Sequence, residues 1–209
     1  TTLAQLKTIT NSTVNKAQFN TGAPATTADT TLEGTAKEIT AVLNKFKTEY
    51  IGKLTVTGSY TLADLVALNK LLPTDTGADV TLVNNVNLSG KSADIAAALS
   101  NVTGYAGKIT LTDKPTLAEL VAINNATTEP IKIPTDTALT GTATQILAAL
   151  DGVEGHKGNI TVSGTPTAAE VNTIAGLTTG VVRATITTGA VKATLDAIAK
   201  VDANDIITF

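Results

Sequence analysis

Thr61-Leu62-Ala63-Asp64-Leu65-Val66-Ala67-Leu68-Asn69 returns as Thr116-Leu117-Ala118-Glu119-Leu120-Val121-Ala122-Ile123-Asn124. Its opening also stands at Thr2-Leu3-Ala4-Gln5-Leu6 and at Thr167-Ala168-Ala169-Glu170-Val171. Four copies at intervals of roughly 50 to 60 residues mark a repeat architecture. Each copy reads as a helix start. Thr2/Gln5, Thr116/Glu119 and Thr167/Glu170 form capping boxes, and Thr61/Asp64 is a shorter-armed version: the hydroxyl accepts from the third N–H and the longer side chain reaches back. Behind the cap, apolar residues fall three apart, as Leu3, Leu6, Ile9; Leu62, Leu65, Leu68; Leu117, Leu120, Ile123; and Ala168, Val171, Ile174. That spacing predicts one buried stripe on a short helix.

A second helix is predicted after Gly34, Gly90, Gly141 and Gly189, with the stripe Ile39, Leu43, Phe46; Ile95, Leu99, Val102; Ile146, Leu150, Val153; and Thr194, Ile198, Val201. This i, i+4, i+7 pattern is the stronger helix signal. The core is expected to be carried by Ile39, Leu43, Ile95, Leu99, Ile146, Leu150 and Ile198. Short strands follow, at Leu54-Thr55-Val56-Thr57, Ile109-Thr110-Leu111-Thr112, Ile160-Thr161-Val162-Ser163 and Ile206-Ile207-Thr208. Others lie between the two helices, at Val80-Thr81-Leu82-Val83, Ile131-Lys132-Ile133 and Val182-Arg183-Ala184-Thr185-Ile186. The stretch from Asn20 to Thr31 has no clear strand. Alternation of strands and helices at this spacing argues for parallel pairing. The fold expected is α/β: an elongated solenoid of about eight strand–helix units of about 25 residues, the strands forming one parallel sheet. It is read as a single domain, 1–209, of long repeats at about 1–58, 59–113, 114–164 and 165–209. The competing reading is two compact α/β domains divided near residue 105.

Composition narrows the function. Hydrophobic residues make up 43 %, with three Phe, three Tyr and no Trp, so the core must be aliphatic. Cysteine and methionine are absent, which removes thiol chemistry, disulfides and Cys-zinc sites. The net charge is -3 and Arg183 is the only arginine, so no basic face is expected to bind nucleic acid. No apolar run approaches the roughly 18 residues of a membrane span. Threonine is the commonest residue and suits both strands and helix N-caps. The chain starts at Thr1 without Met, from which a removed leader or a longer parent is expected. Read end to end, Asp205-Ile206-Ile207-Thr208-Phe209 followed by Thr1-Thr2-Leu3-Ala4 loosely matches Lys108 to Ala118. That match suggests units cut from a longer array or copies that stack.

Ala168-Ala169-Glu170-Val171-Asn172-Thr173-Ile174-Ala175-Gly176-Leu177-Thr178-Thr179-Gly180-Val181-Val182 resembles repeats in very large secreted bacterial surface proteins of the hemolysin-type, adhesin and surface-layer kinds, as in cyanobacteria and marine bacteria. Leu62 to Asn69 and Leu117 to Asn124 fit the same pattern more loosely. The resemblance covers nearly the whole chain as a rhythm. It implies an extracellular structural or adhesive role and no enzyme activity. The calcium-binding nonapeptide Gly-Gly-x-Gly-x-Asp of such proteins is missing here.

Candidate chemistry is sparse. Ser89-Gly90-Lys91-Ser92 looks like the end of a phosphate loop, but Asn85 stands where the first glycine is required. Gly90 therefore reads as a helix-opening glycine. His156, the only histidine, is expected in an exposed glycine-rich turn, where a metal site would need Asp151 or Glu154. Asp64, Glu119 and Glu170 recur at one position, explained by capping. Asp202 with Asp205, and Asp75 with Asp79, form acidic turns that offer carboxylate and carbonyl oxygens to calcium; turn formation by Asp and Asn explains them equally. No other cofactor is expected. Asn-x-Ser/Thr occurs at Asn11, Asn87, Asn101, Asn125 and Asn159.

The function expected is that of an extracellular or cell-surface structural segment, of a surface layer, filament or adhesin. Its partners would be further copies or neighbouring repeats, met through the solenoid ends. The alternative is a carbohydrate- or protein-binding repeat module, for which Tyr50, Tyr60 and Tyr105 would have to share one surface.

Overall fold

The computed structural model describes residues 3–4, 31–45, 50, 52–73, 79–186 and 198–208. Expectations at Thr2, Gln5, Leu6, Ile9, Asn11, Asn20 to Thr30, Phe46, Asp75, Gly189 and Thr194 lie outside these. The order of elements is β1 (Thr31–Gly34), α1 (Ala36–Leu43), β2 (Lys53–Val56), α2 (Leu62–Asn69), β3 (Asp79–Leu82), β4 (Leu88–Gly90), α3 (Ser92–Leu99), β5 (Ile109–Leu111), α4 (Leu117–Ala126), β6 (Ile131–Lys132), β7 (Leu139–Thr142), α5 (Ala143–Leu150), β8 (Ile160–Ser163), α6 (Ala168–Ala175), β9 (Val182–Thr185) and β10 (Ile206–Thr208). The fold is mixed α/β, with six helices and parallel sheets among the described residues and no closed barrel.

The strands form three sheets, ordered β1-β2-β3, β4-β5-β6 and β10-β9-β8-β7, where the sequence suggested one. The breaks have a geometric cause. Parallel neighbours need a crossover of a dozen residues or more. Within each sheet the connection between strands adjacent in sequence supplies it. Between β3 and β4 only residues 83–87 intervene, and between β6 and β7 only 133–138. Neither link is long enough to lay the next strand parallel beside the last, so each starts a new sheet. β1, β4 and β7 are strands the sequence did not announce, because the glycine in each reads as a turn.

Register keeps one buried row through each sheet. Leu32 pairs with Leu54, Leu54 with Val80, and Val80 with Val102. Ile109 pairs with Ile131 and Ile131 with Val153; Leu139 pairs with Ile160 and Ile160 with Val182. Successive partners lie roughly 22 residues apart, one strand–helix excursion. The residues between them in each strand, such as Thr110, Thr140, Thr161 and Arg183, face outward. At β10 the register sets Ile206 opposite Arg183, on the outer face, and it is 45 % exposed.

The helices form a row in which α1 packs on α2, α2 on α3, α3 on α4, α4 on α5 and α5 on α6. One cluster of buried residues runs from Leu3 to Ile186 beneath them. Ile39, Leu43, Ile95, Leu99, Ile146 and Leu150 are buried in it. Ile198 is only partly buried. Full burial of each such aliphatic side chain contributes about 1.5–3 kcal/mol.

Two local devices set the helices. Thr61/Asp64, Thr116/Glu119 and Thr167/Glu170 all make complete capping boxes; Asp64 reaches back as well as the glutamates do. Thr35/Glu38 and Thr142/Gln145 form two more that open the second-type helices α1 and α5. The second device is a knob in a hole. A Cβ on Gly34 would lie 2.6 Å from Leu3 Cδ2; on Gly90, 2.5 Å from Leu62 Cδ2; on Gly141, 2.5 Å from Leu117 Cδ1. Gly34, Gly90 and Gly141 each admit the first leucine of the preceding first-type helix.

Candidate functional site

The loop Ser89-Gly90-Lys91-Ser92 is filled by the chain itself. Leu62 occupies the space over Gly90. Lys91 is the N-cap of α3 and makes no side-chain cap. Instead Asp113, from the loop after β5, accepts from the Ser92 N–H at 2.8 Å, and the Ser92 hydroxyl donates to Glu119 Oε2 at 3.1 Å. The place where a phosphate oxygen would sit at a helix N-terminus is held by an internal carboxylate.

The acidic turn at 202–205 is likewise committed. Asp205 accepts from the Val182 N–H through Oδ1 at 2.6 Å and from the Asp202 N–H through Oδ2 at 3.0 Å, and Asp202 accepts from the Asn204 N–H at 2.7 Å. The pair closes a turn and tethers it to β9. Asp79 is exposed, and Asp75 lies outside the described residues. Among the described residues no three His, Asp or Glu side chains converge as a metal would require.

Asp64, Glu119 and Glu170 act as caps. Glu119 accepts from the Thr116 N–H at 2.7 Å, and that bond, with those from the Thr116 and Ser92 hydroxyls, holds its carboxyl below the usual range despite partial burial. The Thr167 N–H and hydroxyl lower Glu170 in the same way. At Asp64 burial acts upward, yet the Thr61 hydroxyl and N–H, helped by Lys37, leave the carboxyl lowered.

The three tyrosines are buried, between 1 % and 6 % exposed, and form no aromatic platform. Tyr60 donates to the Asn84 carbonyl, Tyr105 to the Val86 carbonyl, and Tyr50 to the Lys53 carbonyl at 3.3 Å. Burial raises all three phenols, Tyr50 to about 12, so they remain donors at neutral pH.

His156 overturns an expectation. It lies in the loop after α5, but its side chain is buried, at 3 % exposure, and neither ring nitrogen has a hydrogen-bond partner. The repeat explains the burial. Tyr50, Tyr105 and His156 each open a three-residue x-x-Gly step and stand four residues before the first buried residue of the following strand, Leu54, Ile109 and Ile160. His156 therefore occupies a core position built for a tyrosine. The signal for it in the sequence is the residue two before each of Gly52, Gly107 and Gly158, which is Tyr50, Tyr105 and His156.

Asparagines are the other residues that sequence reasoning passed over. Asn69 is buried and donates to the Leu65 carbonyl at 3.2 Å and to the Ala98 carbonyl at 2.6 Å, while its oxygen accepts from Asn101 Nδ2 at 3.0 Å. Asn124, at the same repeat position, donates to the Ala149 carbonyl at 2.9 Å. Asn87 accepts from the Lys108 N–H at 3.1 Å, and Asn159 from the Val181 N–H at 2.9 Å. Of the glycosylation-type asparagines, Asn87, Asn101 and Asn159 thus bond to segments more than 20 residues away in sequence.

No protein-family model matches the chain, and no curated protein shows significant similarity to it. No helix among the described residues is long and apolar enough to cross a membrane.

Proposed function

We propose that the chain is a structural repeat segment of the cell exterior, an elongated α/β solenoid of about eight strand–helix units that associates with further copies through its ends. The observation that carries this reading is the nearest-neighbour row of helices over one unbroken core. Such a row is stabilised by interfaces between successive units and has no natural stopping point. The polar groups that first suggest chemistry serve instead as internal ties: Asp113 and Asp205 bond the backbone of another coil, and Glu119 takes a hydroxyl from one. Among the described residues β10 pairs only with β9, and a strand at such an edge presents backbone groups that a neighbour can pair with. No catalytic role is proposed. The binding-module alternative is disfavoured by the burial of all three tyrosines.

Light scattering over a concentration series, with and without calcium, tests the proposal. Growth into species far above 21.2 kDa supports assembly. A strict monomer in every condition removes self-association through this segment.

A further inference from the structure

Tyr105 and His156 stand at equivalent places and meet different fates. The Tyr105 hydroxyl reaches the Val86 carbonyl, which lies against Gly107. In the next repeat the corresponding carbonyl is that of Thr137, which lies against Gly158 so closely that a Cβ there would overlap it. Thr137 is fully buried, its hydroxyl turned to the Pro134 carbonyl at 2.7 Å. Imidazole is shorter than phenol and stops short of a partner, so two buried nitrogens are left unsatisfied. The loop that holds the ring is bonded on its other side to the following coil: the Thr179 N–H donates to the His156 carbonyl, and the Thr178 hydroxyl donates to the Gly158 carbonyl at 2.8 Å. Gly180 packs directly on the Gly158 carbonyl.

A neutral imidazole tolerates this site; an imidazolium does not. An unpaired charge in an apolar interior is strongly disfavoured. Among the described residues no counter-charge is at hand. On its own loop Asp151, Glu154 and Lys157 are exposed. On the preceding coil Lys132 is exposed and Asp136 pairs with Lys114 at 2.8 Å on the surface. Glu129 is half-buried near the Ile131–Val153 bridge, and the 176–181 segment contains no titratable side chain. On the following coil Arg183 is exposed and Asp205 is bonded to backbone. Burial is the one influence on the ring, and it favours the neutral form.

We propose that His156 is an acid-released latch: its protonation opens the seam that joins the coil around Thr137 to those around His156 and Thr179. The direction follows from linkage. A ring kept neutral in the fold takes up a proton more readily once the loop is open. Stability is therefore full above the free-imidazole range near 6.5 and falls as pH drops below it. His156 is the only histidine and cysteine is absent, so no other side chain of ordinary pKa titrates between about pH 5 and 7. The latch acts on one seam whether or not copies associate.

Urea unfolding of the 209-residue chain between pH 7.5 and 5.0, beside His156→Tyr, tests it. The unfolding constant of the parent chain should rise by up to about tenfold per pH unit below about 6.5. The tyrosine variant, with the Tyr105-type bond restored, should be flat there. A flat parent profile, or equal slopes in the two proteins, overturns the proposal. Should the variant fail to fold, the imidazole C–H signals of the parent decide: a native ring that titrates near 6.5 refutes the latch, and one that stays neutral until native signals vanish supports it. Hydrogen exchange, corrected for intrinsic rates, should show β8 and β9 losing more protection at pH 5.5 than β1 to β3. Uniform loss rules out a local seam.

Discussion

Replacing Asn69 by alanine probes the tie between helix ends. The side chain is 4 % exposed and makes three close bonds: to the Ala98 carbonyl at 2.6 Å, to the Leu65 carbonyl at 3.2 Å, and from Asn101 at 3.0 Å. Each bond contributes about 1 kcal/mol net, and the damage depends on which partners are stranded. Leu65, a mid-helix carbonyl, keeps its backbone donor. Asn101 is half-buried and regains water. Ala98 lies in the last turn of α3, where carbonyls have no intrahelical partner. Stranding it adds about 1–3 kcal/mol. The expected loss for Asn69→Ala is therefore about 2–3 kcal/mol, equivalent to roughly 5–10 °C in Tm for a chain of this size. Asn69→Asp should cost more, because a carboxylate has no hydrogen to give the Ala98 carbonyl and its charge would be buried. Asn124→Ala, at the half-buried equivalent, should cost about 1 kcal/mol. Urea midpoints at pH 7 measure all three. Asn69→Ala within about 0.5 kcal/mol of the parent, or an aspartate no worse than alanine, would refute the assignment of this amide as a satisfied internal tie.

Glycine substitutions separate close approach from backbone conformation. Gly158→Ala forces a Cβ into the Thr137 carbonyl and should cost more than about 3 kcal/mol, whereas Gly155→Ala, with open space and φ +63, should cost only about 1–2 kcal/mol. Comparable losses in thermal melts would contradict the packing described at Gly158. Thr116→Ala should lower stability by about 1 kcal/mol at neutral pH. The caps also predict acid behaviour: Glu119 and Glu170 are held below their ordinary range in the fold, so their contribution is present above about pH 4.5 and disappears as pH falls through the folded values. Circular dichroism of Thr116→Ala across pH 5 to 2 should show a shallower helix loss than the parent; an unchanged acid profile would mean the capping bonds do not govern it.

The first-type helices could be read because their signals are local. Thr116 and Glu119 are three residues apart, and Leu120 and Ile123 mark the buried stripe without reference to anything distant. The buried positions Ile109 and Ile160 are visible as aliphatic alternation with threonine in Ile109-Thr110-Leu111 and Ile160-Thr161-Val162. The division into three sheets was not, because it depends on link length: residues 83–87 and 133–138 look like ordinary turns until the crossover requirement is applied to them. Likewise β4 and β7 hid behind Gly90 and Gly141, whose reason for being there is a leucine far back in the chain. His156 was misread because its loop neighbours Gly155 and Gly158 suggest exposure, while its environment is set by the carbonyl of Thr137 and by residues 178–180. Burial of a loop side chain is a tertiary fact, and only comparison with Tyr105 encodes it.

The leucine that fills each glycine hole belongs to one kind of helix and the hole to the other. Leu62 meets Gly90 and Leu117 meets Gly141, across a first-type helix and the strand that opens the second. The smallest unit that can be added or removed without leaving a knob with no hole is therefore a pair of helices. Excising residues 62 to 116 would rejoin Thr61 to Leu117, leaving a threonine cap, its leucine and the glycine at 141 in their original relation. Excising a single helix would bring two sockets or two plugs together. Length variation in this architecture is quantised in pairs, and the quantum is written in which residue lacks a side chain.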